Sequence, residues 1–178
     1  GKWIGFVDSD DWAEPEMFQT LLEAAESHKL DVAVCPYYED RESAGTSRVF
    51  SLQPFEDSSL AEEPRLLFDI NMSPWNKLYR RQVLDEAAIR FPEGMKYEDT
   101  PFVMKALLKA ERIGFVDKPL LHYVVHAGSE TTVLDKRVFD IYKVLDLVNG
   151  MIGETEQPEL FKDYQVFFNI DRITTYNL

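Results

Sequence analysis

The apolar run Ile4-Gly5-Phe6-Val7 ends abruptly in Asp8-Ser9-Asp10-Asp11-Trp12, and no other stretch constrains the chain as strongly. Such a run predicts a buried strand over residues 4–7. Three carboxylates gathered within four residues repel one another and lose hydration unless a cation or hydrogen bonds compensate them. At the carboxyl end of a strand in an open α/β sheet, they occupy the usual ligand crevice. A divalent metal held by hard oxygen ligands accounts for them economically. A solvated acidic turn is the plain alternative.

The chain has 178 residues, enough for one domain with a real core. Its 45% hydrophobic content separates it from disordered sequences. The 32 acidic against 19 basic residues give a net charge of −13, which argues against binding nucleic acid or an anionic membrane, since both need a basic surface. An acidic protein that binds a phosphate compound needs a cation or local basic groups to offset repulsion. The single cysteine, Cys35, excludes an intramolecular disulfide and a cysteine-rich zinc site. Its apolar setting, Val32-Ala33-Val34, reads as that of a buried, inert thiol. No segment approaches the ~20 apolar residues that span a bilayer, and no signal peptide is visible.

Pro15 sits well in the first turn of a helix on which Met17, Phe18, Leu21, Leu22 and Ala25 recur at helical spacing, closing near His28-Lys29. Residues 31–38 read as the next strand, with a hairpin turn over 39–46 leading to a strand over 48–52. A helix is predicted over 58–69, interrupted by Pro64. The dense group Pro74-Trp75-Asn76-Lys77-Leu78-Tyr79 precedes a helix over 82–88. Thr100 is the expected N-cap of a helix with Pro101 at its first position, leaving Asp99 just outside. Acidic residues are also ordinary stabilisers of helix starts, which is the bland reading of Glu98 and Asp99. Strands follow over 113–116 and 120–125, the second with His122 and His126 on one face, then a polar loop over 127–132. Val138, Ile141, Leu145, Val148 and Ile152 step as a helix-packing seam. A second amphipathic helix uses Leu160, Phe161, Tyr164, Phe167 or Phe168, and Ile170 or Ile173. The pair reads as a helical hairpin.

Taken in order, Asp8-Ser9-Asp10-Asp11-Trp12, Trp75-Asn76-Lys77-Leu78-Tyr79, Tyr97-Glu98-Asp99-Thr100 and Tyr123-Val124-Val125-His126-Ala127-Gly128-Ser129 resemble the family 2 glycosyltransferases of bacteria. That large inverting group has the GT-A nucleotide-sugar fold. The resemblance covers about residues 1 to 132. It implies an α/β fold: a partial, Rossmann-like GT-A mixed sheet flanked by helices, with the helical tail as a unit over 133–178. In the family the acidic motif closes the fourth strand, so this chain resembles the C-terminal part of a catalytic domain. An open half-sheet exposes a strand edge, which we expect a homodimer partner or swapped strand to cover over residues 4–7.

The implied chemistry is transfer of a sugar, with inversion, from a nucleotide-diphosphate donor to an acceptor hydroxyl in cell-surface polysaccharide or glycoconjugate synthesis. A UDP-sugar is the implied donor; the acceptor is a saccharide, a lipid-linked glycan or a protein. By similarity, Asp10 is the direct ligand of Mg²⁺ or Mn²⁺, and Asp8 contacts the metal, its waters or the ribose. Asp11 is assigned to the substrate or to a hydrogen bond with the following turn. Asp99 takes the role of base, with Glu98 orienting the loop or contacting the acceptor. His126 falls where a phosphate or metal contact is common, and Trp75 and Lys77 would line the sugar or acceptor pocket. The implied setting is cytoplasmic, at most peripheral to the inner face of the membrane. A non-catalytic interaction module derived from such an enzyme is the competing reading. An EF-hand fails, because Ala13 stands where the loop needs Gly and Gln19 where it needs Glu. A strand–DxD phosphatase would want Gly-Thr where Asp11-Trp12 stands.

Overall fold

In Val32-Ala33-Val34 the valines point to one side of their strand and the alanine to the other, and the chain builds a layer on each side. The computed structural model describes residues 1–126 and 135–175. Strands β1 (Trp3–Gly5), β6 (Lys77–Arg80), β3 (Val32–Val34) and β7 (Ile113–Phe115) form one sheet in the order β1-β6-β3-β7. Strand β6 runs antiparallel to both neighbours, while β3 and β7 are parallel. Helix α1 (Met17–Ser27) packs Met17, Leu21 and Ala25 on the face that carries Ala33 and Leu78. Helix α4 (Asp99–Lys109) packs Phe102, Val103, Ala106 and Leu107 on the face of Val32, Val34 and Tyr79.

A second sheet, β2-β8-β4-β5, lies beside the first: β2 (Trp12–Ala13), β8 (Leu121–Val125), β4 (Tyr37–Arg41) and β5 (Thr46–Phe50). The run predicted as one strand over 31–38 therefore splits. Pro36 cannot donate to a ladder, and at Cys35-Pro36 the chain passes from the first sheet to the second. The predicted hairpin forms between β4 and β5, turning at Gly45, whose φ of 59° suits glycine. The helix expected over 58–69 shrinks to α2 (Leu66–Asp69), because Ser58 bridges to Ile113 and Pro64 bars a longer helix from continuing through it. Helix α3 (Arg81–Glu86) follows β6 directly.

Helices α5 (Asp140–Gly153) and α6 (Lys162–Thr175) make the expected hairpin. Ile141, Val144, Leu145, Val148 and Ile152 are buried in the core that also holds α4 and β3. On α6, Phe168 faces inward at 5% exposure and Phe167 outward at 73%, which decides between the two. The loop predicted over 127–132 lies outside the described residues. Among the described residues no helix is long and apolar enough to cross a membrane. Strand β1 stands at a sheet edge, bonded to β6 alone, so the edge expected to be covered by a second chain is open in this single chain.

Because α5 shares its core with α4, Ile141→Ala should cost about 3 kcal/mol through the cavity it leaves. Urea denaturation should still give one transition. Two transitions, with only one displaced, would show that the hairpin folds as a separate unit.

Candidate active site

The acidic turn is fixed by its own backbone and by a strand more than a hundred residues later. Asp11 N–H donates to the Asp8 carbonyl at 3.2 Å, closing the turn. Val124 N–H of β8 donates to Asp11 Oδ1 at 2.8 Å, across 113 residues. Asp11 thus bonds to β8 rather than to the turn that follows it. Its other oxygen, Oδ2, is buried without a hydrogen-bond partner among the described residues. Asp8, Asp10 and Asp11 each offer an oxygen, and these lie within 4.8 Å of one another. His126, one residue past β8, brings Nε2 to 3.1 Å from Asp10 Oδ2.

Gathering these groups carries an electrostatic cost. Burial first, then Asp10 and Asp8, push the Asp11 carboxyl up to about 6, against the lowering pull of the Val124 hydrogen bond and His126. Asp8 is raised as well, by burial and then by Asp10 and Glu98. A divalent cation would relieve all of these terms at once, and the donor set is the hard carboxylate oxygen that Mg²⁺ or Mn²⁺ prefers.

Glu98 and Asp99 approach the same place from α4. Asp99 is the first residue of the helix, with Glu98 at the N-cap, so the helix starts two residues earlier than the sequence predicts. Thr100 is helical, and Pro101 still falls in the first turn, where its missing N–H costs nothing. Just before them Tyr97 adopts φ 67°, a left-handed conformation unusual for an aromatic residue. Such backbone often marks functional turns; nothing in the sequence signalled it. Burial, then Glu98, then Asp8 raise the Asp99 carboxyl to about 7. Loss of hydration and two neighbouring carboxylates thus outweigh the lowering pull of the helix dipole on a carboxylate at its start.

Lys77 opposes that shift. It is fully buried, opposite Val34 in the register, on the face of the sheet that α4 covers. Nζ donates to the Ser73 carbonyl at 2.7 Å and to Asn76 Oδ1 at 2.6 Å. Burial lowers the ammonium to about 7, against the raising influence of Cys35 and Asp99. Lys77 is closed off from solvent, contrary to the expectation that it lines an open pocket, because β6 is an interior strand. Trp75 is likewise 4% exposed, edge-on to Tyr37 and stacked on Tyr123, so protein occupies its faces. Cys35 is buried and its thiol is pushed up to about 12, an inert group as expected.

The sequence did not reveal the clamp around His122. Its Nδ1 lies 2.7 Å from Asp40 Oδ2 and its Nε2 3.2 Å from Glu14 Oε1, tying β8 to β4 and to the residues after β2. A cleft of about 730 Å³ is elsewhere. It lies among Lys29, Asp31, Arg80 and Lys109, at the end of the first sheet away from Asp8.

Residues 1–87 match the family described as Glycosyl transferase family 2. A crystal structure of Staphylococcus aureus TarS 1-349 in complex with UDP-GlcNAc superposes with a TM-score of 0.78 at 27% identity, over 98% of this chain and 49% of that one. The chain belongs to the family 2 glycosyltransferases. The uncharacterized glycosyltransferase EpsJ of Bacillus subtilis is 33% identical over 150 residues, covering 79% of this chain and 42% of EpsJ. GlyA of Streptococcus pneumoniae, also a glycosyltransferase, is 30% identical over 146 residues, 75% of this chain and 20% of its own. The chain thus spans less than half the length of the relatives it matches here. The mixed α/β architecture read from the sequence is that of the TarS structure.

The raised Asp99 carboxyl has a sign that can be checked. A carboxyl near 3.8 when unfolded and about 7 when folded lowers stability as pH rises from about 4 to about 7, and the penalty is full above that. Asp99→Asn should therefore stabilise the fold by on the order of 2 kcal/mol at pH 8 and by little at pH 4. Thermal unfolding across that range measures it; a gain independent of pH would refute the burial account.

Proposed function

We propose that this chain carries the metal-binding and base end of an inverting glycosyltransferase, which moves a sugar from a UDP-sugar to an acceptor hydroxyl. The supporting observation is convergence: Asp99 on α4 lies close enough to the Asp8 turn for Asp8 to raise its carboxyl, although some ninety residues separate them. In this reading Asp10 and Asp8 hold Mg²⁺ or Mn²⁺, which when bound neutralises the charge that builds on the departing diphosphate. Asp11 holds the turn to β8 rather than serving as a primary ligand. His126, fixed against Asp10, contacts a phosphate oxygen or the metal.

Asp99 is the base. A carboxylate that takes its proton near neutrality accepts the hydrogen of the acceptor O–H more readily than an ordinary aspartate would. The acceptor oxygen forms its bond to the anomeric carbon as the bond to the diphosphate oxygen breaks, and the electron pair leaves with UDP. Glu98, one residue before, orients the loop or the acceptor. The acceptor is a saccharide, a lipid-linked glycan or a protein, in cell-surface polysaccharide synthesis at the cytoplasmic side. The open edge of β1 is where a further strand, from a second copy or from a longer chain, would pair.

Calorimetric titration of UDP with and without Mn²⁺ tests the metal end. Asp10→Asn should weaken the metal-dependent part by at least about tenfold; unchanged metal-dependent binding would sink the assignment. In the whole polypeptide carrying these residues, Asp99→Asn should lower turnover by about a hundredfold or more with UDP binding kept. Wild-type turnover should climb as pH rises towards 7, following ionisation of Asp99.

A further inference from the structure

Trp12 has no role in the chemistry described so far, yet it is the most firmly held exposed aromatic residue near the acidic turn. Its indole is 48% exposed. One face lies on the His122 ring, with centroids 3.5 Å apart and planes at 11°, and His122 stacks in turn on Tyr38 at 4.4 Å and 19°. The register explains the stack. Trp12 is opposite His122 in the β2–β8 pair, and His122 is opposite Tyr38 in the β8–β4 pair, so three neighbouring strands present three rings on one face. Strand β2 is the edge of this sheet, so the stack ends at Trp12. Among the described residues no other ring or cation is packed against the indole.

A singly exposed tryptophan is ordinary. The structure beneath this one is not. His122 cannot rotate, since Asp40 and Glu14 hold its two nitrogens. Asp11, immediately before Trp12, is anchored by Val124 N–H. The indole is thus fixed in position and tilt before any ligand arrives, two residues from Asp10, and such fixing lowers the ordering cost of binding.

We infer that the outer face of Trp12 is a stacking platform for a pyranose ring of the sugar substrate. The electron-rich face of an indole attracts the weakly positive C–H groups on the flat side of a sugar. Glu14 is engaged beneath the indole, with its Oε1 3.2 Å from His122 Nε2, so the outer ring face is what the stack leaves for a ligand. The assignment rests on reading the Asp8 turn as the donor end of a transferase, and it adds the residue that grips the carbohydrate itself. The ring belongs either to the acceptor or to the donor sugar; both share this chemistry.

The test uses the 178-residue chain with Mn²⁺ and four probes: chitotetraose, cellotetraose, UDP-N-acetylglucosamine and UDP. Binding is followed by saturation-transfer NMR and calorimetry for wild type, Trp12→Ala, Trp12→Leu and Trp12→Phe. Loss of affinity of about tenfold in the Ala and Leu variants, and less in Phe, is expected for probes that carry the ring. Loss for the tetrasaccharides assigns the acceptor; loss for UDP-N-acetylglucosamine but not UDP assigns the donor sugar. The Phe variant keeps a ring on His122 and guards against misfolding. Unchanged affinities, an equal loss for UDP, or no wild-type binding of any sugar-bearing probe would overturn the inference. Failure of the metal assignment reads out separately, as UDP binding that Asp10→Asn does not alter.

Discussion

The antiparallel pairing of β6 between β1 and β3 is the interaction on which the site depends. Strand β1 has three residues and stands at an edge, held in register by Leu78, Tyr79 and Arg80 across the ladder, with Arg81 N–H donating to the Lys2 carbonyl just before it. The acidic turn is its continuation. The same four residues of β6 send Leu78 to the layer of α1 and Lys77 and Tyr79 to the layer of α4. One short interior strand therefore sets the height of Asp8 above one end of the sheet and the surface on which the start of α4 rests.

Much of this was legible, for reasons that differ by element. The turn Asp8-Ser9-Asp10-Asp11 stands out because clustered carboxylates demand an explanation from local sequence alone. The seam of α5 stands out because its apolar spacing is regular over four turns. The break at Cys35-Pro36 was missed because an apolar run looks the same whether it serves one sheet or two. The burial of Trp75 and Lys77 was missed because it follows from which strands flank β6, and pairing between distant strands leaves little trace in local pattern. The family resemblance singles out Asp99 as the expected base, but its raised carboxyl depends on burial, Glu98 and Asp8, a three-dimensional sum.

The electrostatics form one system. Five carboxylates are linked through Asp8: Asp10 and Glu98 raise Asp8, Asp10 and Asp8 raise Asp11, and Glu98 and Asp8 raise Asp99, where Lys77 is the buried cation that works against the rise. Lys77 makes its hydrogen bonds to neutral oxygens and leaves its charge uncommitted to any single carboxylate. A charge so placed moderates the basicity of Asp99 without blocking it.

The hydrogen bond from Val124 to Asp11 also carries a consequence for how the molecule comes into being. As the chain grows, the acidic turn is made well before the strand that anchors it, which is added more than a hundred residues later. Until then the gathered carboxylates lack the donor that most directly offsets their crowding. The closing of so long a loop is entropically costly and belongs to the slow, non-local part of folding. An assembled turn is thereby a signature that β8 has reached the acidic turn across the intervening chain.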